Sequence, residues 1–286
     1  RTISSVGYSL IYDRRDNRIR PTSGFYANLS QDVAGLGGDV RYVRTRIEGG
    51  KYLSLGGGFI FSLRGEAGHI KSLEGQRFDS DGVAVERVRL TDRFYLGEPQ
   101  MRGFAIRGVG PRVRRQYYDA SGALLEFDSN SNQDDALGGK IYYLAHAEVE
   151  IPLGAGAREL GLRPAIFMDA GAVGNLQQPG LYNGSGIYNG TCTITDSAGT
   201  FIRRDGATTP GSVGCTTRTG TEVASYDGNG FREQYLGDTL KPRLSVGVGV
   251  NWNSPFGPFR IDIAKVLLKE PGDDTKTITF NIGTQF

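Results

Sequence analysis

The stretch Arg243-Leu244-Ser245-Val246-Gly247-Val248-Gly249-Val250-Asn251-Trp252 decides how this chain folds. Leu244, Val246, Val248, Val250 and Trp252 alternate with Ser245, Gly247, Gly249 and Asn251. A period of two puts the apolar set on one side of an extended strand and the small or polar set on the other, whereas a helix would scatter both around its axis. The chain's last residues repeat the pattern, with Ile278, Phe280, Ile282 and Phe286 on one parity and Thr277, Thr279, Asn281, Gly283 and Gln285 on the other.

Working outward, seven further segments read the same way. Val6, Tyr8, Leu10 and Tyr12 share a face, as do Phe25, Ala27, Leu29 and Val33. Val43, Thr45 and Ile47 oppose Arg44, Arg46 and Glu48, and Phe59, Phe61, Leu63 and Ala67 oppose Ser62, Arg64 and Glu66. Ile141, Tyr143, Ala145, Ala147, Val149 and Ile151 oppose Lys140, His146, Glu148 and Glu150, and stretches near 164–173 and 259–267 complete a set of nine strands. The connections alternate in length: 14–24, 54–58, 152–163 and 253–258 are short and carry Pro, Gly or Asn, 71–137 and 175–240 are long, polar and Gly-rich, and 34–40 and 268–275 lie between. Short periplasmic turns facing long extracellular loops are the pattern of an antiparallel transmembrane β-barrel. Tyr12, Phe25, Phe59, Trp252, Phe256, Phe259 and Phe286 all fall at the short-turn ends, where amphipathic rings form a girdle at the lipid headgroups.

Composition fits. Glycine supplies 43 of 286 residues, about twice the usual share of roughly 7%. No apolar run approaches the ~20 residues of a membrane-crossing helix, but a barrel strand presents only every second residue to lipid and needs no such run. A net charge of +2 from 33 basic and 31 acidic residues mixed along the chain gives no basic footprint for nucleic acid. Nine strands would leave two edges open and single-chain bacterial barrels have an even count, so the chain reads as an incomplete part of a larger barrel. Residue 1 is Arg, with no signal segment before it, which also reads as a fragment.

Charge on the inward parity, Arg64 and Glu66, Glu148 and Glu150, Arg260 and Asp262 among it, suits a water-filled lumen as ordinary lining, where exposed pairs contribute only about 0–1 kcal/mol each. Two carboxylates ask for more. If Ile166, Met168, Ala170 and Ala172 face lipid, Asp169 must point inward, as must Glu148 on the preceding strand, and an inward carboxylate requires a cation. Arg102, beside Gly103 and Phe104 halfway along 71–137, is the candidate: a loop tip folded back into the lumen could present its fork to a carboxylate. Cys192 and Cys215 lie in one polar stretch and read as a loop disulfide in an oxidising compartment, with two free thiols as the alternative. No metal-ligand spacing, nucleophile elbow or phosphate-binding loop appears, so no catalytic residue, metal or cofactor is expected. His146 near Glu148 could pair with a serine in a hydrolase, but it suits a charged lumen equally well.

Arg102-Gly103-Phe104, with Gly110-Pro111 following, resembles the loop motif of the BamA family of outer-membrane protein assembly factors. Glu148 in Ala147-Glu148-Val149-Glu150-Ile151-Pro152 and Asp169 in Phe167-Met168-Asp169-Ala170-Gly171 stand where that family places the carboxylates that hold the loop arginine. Asn253-Ser254-Pro255-Phe256-Gly257-Pro258 is similar to its last periplasmic turn, and Phe280, Ile282, Gly283 and Phe286 match the C-terminal β-signal. The resemblance covers nearly the whole chain and implies the last nine strands of a sixteen-stranded barrel, without the first strands and the periplasmic POTRA domains. The insert 175–240 is longer than that family's pattern.

The resemblance further implies an integral protein of the bacterial outer membrane that folds and inserts other barrels without covalent chemistry. A weakly paired seam, with 276–286 as this chain's share and Gly283 loosening it, would admit an incoming strand by β-augmentation. Implied partners are unfolded outer-membrane proteins, periplasmic chaperones, accessory lipoproteins of the assembly machinery and outer-membrane lipid. A polypeptide-secreting pore of the two-partner type shares the loop motif; the number of upstream POTRA domains would separate the two. A passive porin would lack the motif.

Overall fold

A computed structural model of the chain describes residues 2–78, 82–118, 123–127, 133–154, 161–184, 187–194, 201–203, 223–254 and 257–282. The chain packs as two units. The first combines 1–112, 135–179 and 235–286, and the second combines 113–134 and 180–234.

The first unit is built on one antiparallel sheet of nine strands: β1 (Ser5–Asp13), β2 (Gly24–Ala34), β3 (Tyr42–Gly56), β4 (Phe59–Ser72), β5 (Ile141–Glu150), β6 (Leu162–Gly174), β7 (Arg243–Ser254), β8 (Gly257–Leu268) and β9 (Ile278–Ile282). They lie side by side in chain order. Register is fixed because one face must stay apolar and a slip of one residue would invert it. Thus Ile166 pairs with Val248 and Val149, and Asp169 pairs with Ser245 and His146. The only helix among the described residues is a single 3-10 turn at Leu90–Asp92.

Side chains on the outer parity stay exposed. Ile47, Leu63, Ile166, Val248, Ile263, Ile278 and Phe280 are each roughly half-exposed, and among the described residues no second sheet of this unit covers them. A bare, continuous apolar surface on a folded sheet faces lipid. At the short-turn rim Tyr12 packs on Phe25 at 5.6 Å, Trp252 on Phe259 at 5.6 Å and Phe259 on Phe280 at 6.0 Å between ring centroids. Phe256 and Phe286 lie outside the described residues. The first short turn is closed by Asp16, whose carboxylate accepts from Thr22 N, Thr22 Oγ1 and Ser23 N.

Two expectations need correction. Ala172 is buried, not lipid-facing, because near that end of β6 the returning chain folds over the outer face, where Tyr143 Oη donates to the Leu240 carbonyl. The inner face is also not charged and wet throughout. At the loop end Val88, Phe94, Leu96, Met101, Phe104 and Val109 pack on Tyr42, Ile70, Tyr142, Leu144 and Val173 as a dry cluster. Phe94 sits 4.6 Å from the Tyr142 ring. Segment 84–110 therefore behaves as a folded plug with its own apolar content, which a polar-loop reading of 71–137 overlooks.

The second unit also contains strands where the sequence suggested only loop. Phe201–Arg203, Ile187–Ile194 and Val223–Asn229 form a three-stranded antiparallel sheet in that order. Their Gly- and Thr-rich sequences lack a sustained period of two, so pairing here has no apolar face to announce it. The Cys192–Cys215 disulfide cannot be followed, since Cys215 lies outside the described residues.

Candidate functional site

The site forms where the plug meets the inner face of β5, β6 and β8. A tight turn delivers it: Met101 N donates to Gly97 O at 2.8 Å and Glu98 N to Ala105 O at 3.2 Å, folding 97–105 back on itself. Gly103 is needed at its tip for two reasons. Its φ of 88° lies in the left-handed region, and an added Cβ would come within 3.0 Å of Ser245 Cβ and 3.2 Å of Ala264 Cβ. Phe104 then turns into the dry cluster and is fully buried.

Arg102 points the opposite way, into a nest of carboxylates. Its Nε donates to Asp169 Oδ2 at 2.7 Å and its Nη2 to Asp169 Oδ1 at 2.5 Å, the two parallel bonds of a fork. Its Nη1 donates to Glu148 Oε2 at 2.6 Å. The backbone joins in, with Arg102 N donating to Asp169 Oδ2 at 3.1 Å and Arg102 O accepting from Ser245 Oγ at 2.5 Å. The guanidinium lies 3.6 Å from the centroid of the Phe167 ring, a stacked geometry open to Arg and not to Lys.

A second arginine completes the nest. Arg260 on β8 donates from Nη2 to Glu148 Oε2 at 2.9 Å and from Nε to Asp262 at 2.9 Å. His146 Nδ1 lies 3.0 Å from Asp169 Oδ1, and since an ionised carboxylate only accepts, His146 must donate there. Two cations face three carboxylates, and the imidazole supplies a further donor. Arg102, Glu148, Asp169, Arg260 and Asp262 are all nearly inaccessible to solvent. Such a cluster is tolerated only when fully paired, because an isolated buried charge costs several kcal/mol.

The structure thus brings Arg102, Asp169 and Glu148 into direct contact, with Gly103 and Phe104 shaping the approach. Arg260 and Asp262, read from the sequence as ordinary lining, belong to the same network. Phe167 received no role, although it shares the parity of Asp169 and so had to face inward with it. The seam residues lie apart from the nest. Phe280 pairs with Ile261 and Ile282 with Phe259 on β8, while Gly283 and Phe286 are outside the described residues. A cavity that opens on the nest is lined by Tyr26, Glu66, Gln100, His146 and Asn281 as well as by Arg102. Among the described residues no group of three or more His, Cys, Asp or Glu side chains is arranged to hold a metal ion.

Residues 1–286 match the Omp85 superfamily domain. The chain is 29% identical over 285 residues to an outer membrane protein assembly factor BamA of Neorickettsia risticii, covering 99% of this chain and 27% of that protein. It is 28% identical over 179 residues to a human sorting and assembly machinery component 50 homolog, covering 60% of this chain and 32% of that protein. The crystal structure of BamA from Haemophilus ducreyi lacking POTRA domains 1–3 superposes with a TM-score of 0.60 at 18% identity, over 96% of this chain and 41% of that one, a likeness of fold. The chain spans about 27–32% of the length of these two curated relatives.

Proposed function

This chain belongs to the Omp85 superfamily, and on that premise we propose that it is the C-terminal part of a bacterial outer-membrane barrel that folds and inserts other barrel proteins through a lateral seam. Further strands beside β1 and POTRA domains before it complete the protein, and 71–137 and 175–240 face the outside. The observation that carries the reading is the Arg102 fork: a loop arginine buried against Asp169 and Glu148 holds a folded plug against the inner wall.

The edges support the seam. β9 begins opposite Ile263, so Lys265–Leu268 of β8 have no strand partner on that side among the described residues. An edge strand with unpaired N–H and C=O groups is a template for β-augmentation by a client strand. The partners are therefore unfolded outer-membrane proteins, with periplasmic chaperones and accessory lipoproteins delivering them and outer-membrane lipid as the solvent. The bacterial location is supported by the relative that matches the chain end to end, which is a bacterial assembly factor.

The test is depletion of the native full-length protein in its host with complementation by wild type or Arg102→Ala, followed by the folded fraction of an abundant porin. Wild type should restore porin folding and the variant should leave it several-fold lower. Normal porin folding during depletion, with a secreted polypeptide lost instead, would replace this reading with the secretion pore.

A further inference from the structure

A second buried ion pair lies away from the Arg102 nest. Arg243 at the start of β7 and Asp273 in the β8–β9 connection are both completely buried and meet through Nε–Oδ2 at 2.9 Å. Every donor of Arg243 is used: Nη1 reaches Thr239 O at 2.5 Å and Lys241 O at 3.1 Å, and Nη2 reaches Gly237 O at 2.9 Å and Asp273 Oδ1 at 3.3 Å. Asp273 also accepts from Glu270 N at 2.7 Å and Gly110 N at 3.3 Å. A fully satisfied pair with no exposure is a built joint, not a chance surface contact.

What it joins is the plug and the root of β9. Ala105 N donates to Asp274 O at 3.0 Å, Asp274 N to Gly108 O at 2.8 Å and Lys276 N to Gly103 O at 3.0 Å, while Arg112 Nη1 donates to Gly272 O at 2.8 Å. Lys276 Nζ adds an ion pair to Glu98 Oε2 at 2.8 Å. The residues that flank Arg102 thus form a short two-stranded contact with the connection that enters β9 two residues later. Beyond that point, among the described residues, the loop-side end of β9 is held to β8 through Ala264 N to Thr277 O at 2.8 Å and the ladder from Ile278 onward.

We propose that Asp273 is a positioning residue: clamped by Arg243, it ties the β8–β9 connection to the motif loop, so that seating of the plug fixes the start of β9 and its release loosens the terminal strand that borders the seam. The inference deepens the seam reading and rests on it, because only a seam that opens gives the clamp something to govern. It assigns the plug a second duty, holding the loop-side end of the edge strand as well as filling the lumen.

Hydrogen exchange of the full-length protein in lipid nanodiscs tests this, with Asp273→Asn and the paired Arg243→Leu/Asp273→Leu variant, which removes the clamp without stranding a buried charge. Amides of 278–282 should exchange about tenfold faster, with 141–150 still protected. Wild-type exchange at 278–282 despite lost protection at Ala105 and Gly110 would overturn the clamp. Should neither variant fold, Glu98→Gln removes the peripheral ion pair alone; about threefold faster exchange at 278–282 supports the clamp and no change refutes it. Client assembly is measured on the same samples. Faster exchange with unimpaired assembly leaves the clamp standing and defeats the seam reading, while unchanged exchange with an assembly defect in Arg102→Ala does the reverse.

Discussion

Replacing Arg102 by alanine in the full-length protein should unseat the plug without dissolving the barrel. The side chain makes three charge-assisted bonds, two to Asp169 and one to Glu148, and stacks on Phe167. Its loss leaves Asp169, with no solvent exposure, only His146 and the Arg102 amide, while Glu148 keeps Arg260. Removing one partner of a buried pair costs about 3–5 kcal/mol, and at about 1.4 kcal/mol per tenfold the ratio of seated to open plug falls by roughly two to three and a half powers of ten. Arg102→Lys keeps the charge but neither fork nor stack, and should cost about 1–3 kcal/mol. The triple change Arg102→Met, Glu148→Gln, Asp169→Asn should recover much of the loss, because it leaves no unpaired charge on Glu148 or Asp169. Limited proteolysis and amide exchange across 97–110, in lipid, read the seated fraction directly. Protection across 97–110 in Arg102→Ala within twofold of wild type would show that the dry cluster alone holds the plug, and the reasoning would fail.

Three further outcomes follow from the geometry. Gly103→Ala must enter a left-handed backbone region and press on Ser245 and Ala264; it should weaken plug seating by about 1–3 kcal/mol, measured by the same exchange. Val248→Arg places a charge at mid-strand on the exposed outer parity and should destabilise the protein in lipid by about 2–4 kcal/mol; a cost below about 1 kcal/mol in denaturant titration would refute the lipid-facing assignment. Hydrogen bonds from Thr22 Oγ1, Ser23 N and Thr22 N hold the Asp16 carboxyl well below the usual carboxylate range, at about 2. Because the folded value is depressed, the stability it lends to the first turn is present above the ordinary value near 4 and lost as pH falls through about 2. The Thr22 and Ser23 amide resonances should titrate with a midpoint near 2, and Asp16→Asn should abolish that transition.

Much of the sheet was legible because alternation is a local signal. Leu244 to Trp252 can take only one arrangement when one face must be apolar, and all nine strands of the sheet announce themselves this way. Parity also pointed Asp169 and Glu148 inward, but their partner lies 67 and 46 residues away in sequence, a distance no pattern of two can bridge. Arg102 could be put forward from its Gly-flanked place in the long loop, but the resemblance of Arg102-Gly103-Phe104 to a known motif is what singles it out. Arg260 and Asp262 were on the right face, yet nothing in their spacing says which lumen charges converge. Phe94, Leu96 and Met101 lie within a span read as loop because its apolar residues keep no sustained period of two, and their apolar cluster exists only once Tyr142 and Leu144 are brought beneath them. Arg243 and Asp273 gave no signal at all, since each is one charge among many near a strand end.

The Arg102 nest draws on a loop, on β5, on β6, on β7 and on β8, and its hydrogen bonds span up to 143 residues of sequence. The bonds that Arg102 makes cannot form early. Long-range closures are the slow steps of folding, and this one requires residue 262 to be in place before residue 102 finds its full set of partners. Seating of the plug is therefore a late event in the protein's own maturation, and a chain with a misregistered wall would carry a dangling, protease-accessible tongue as the visible mark of its error.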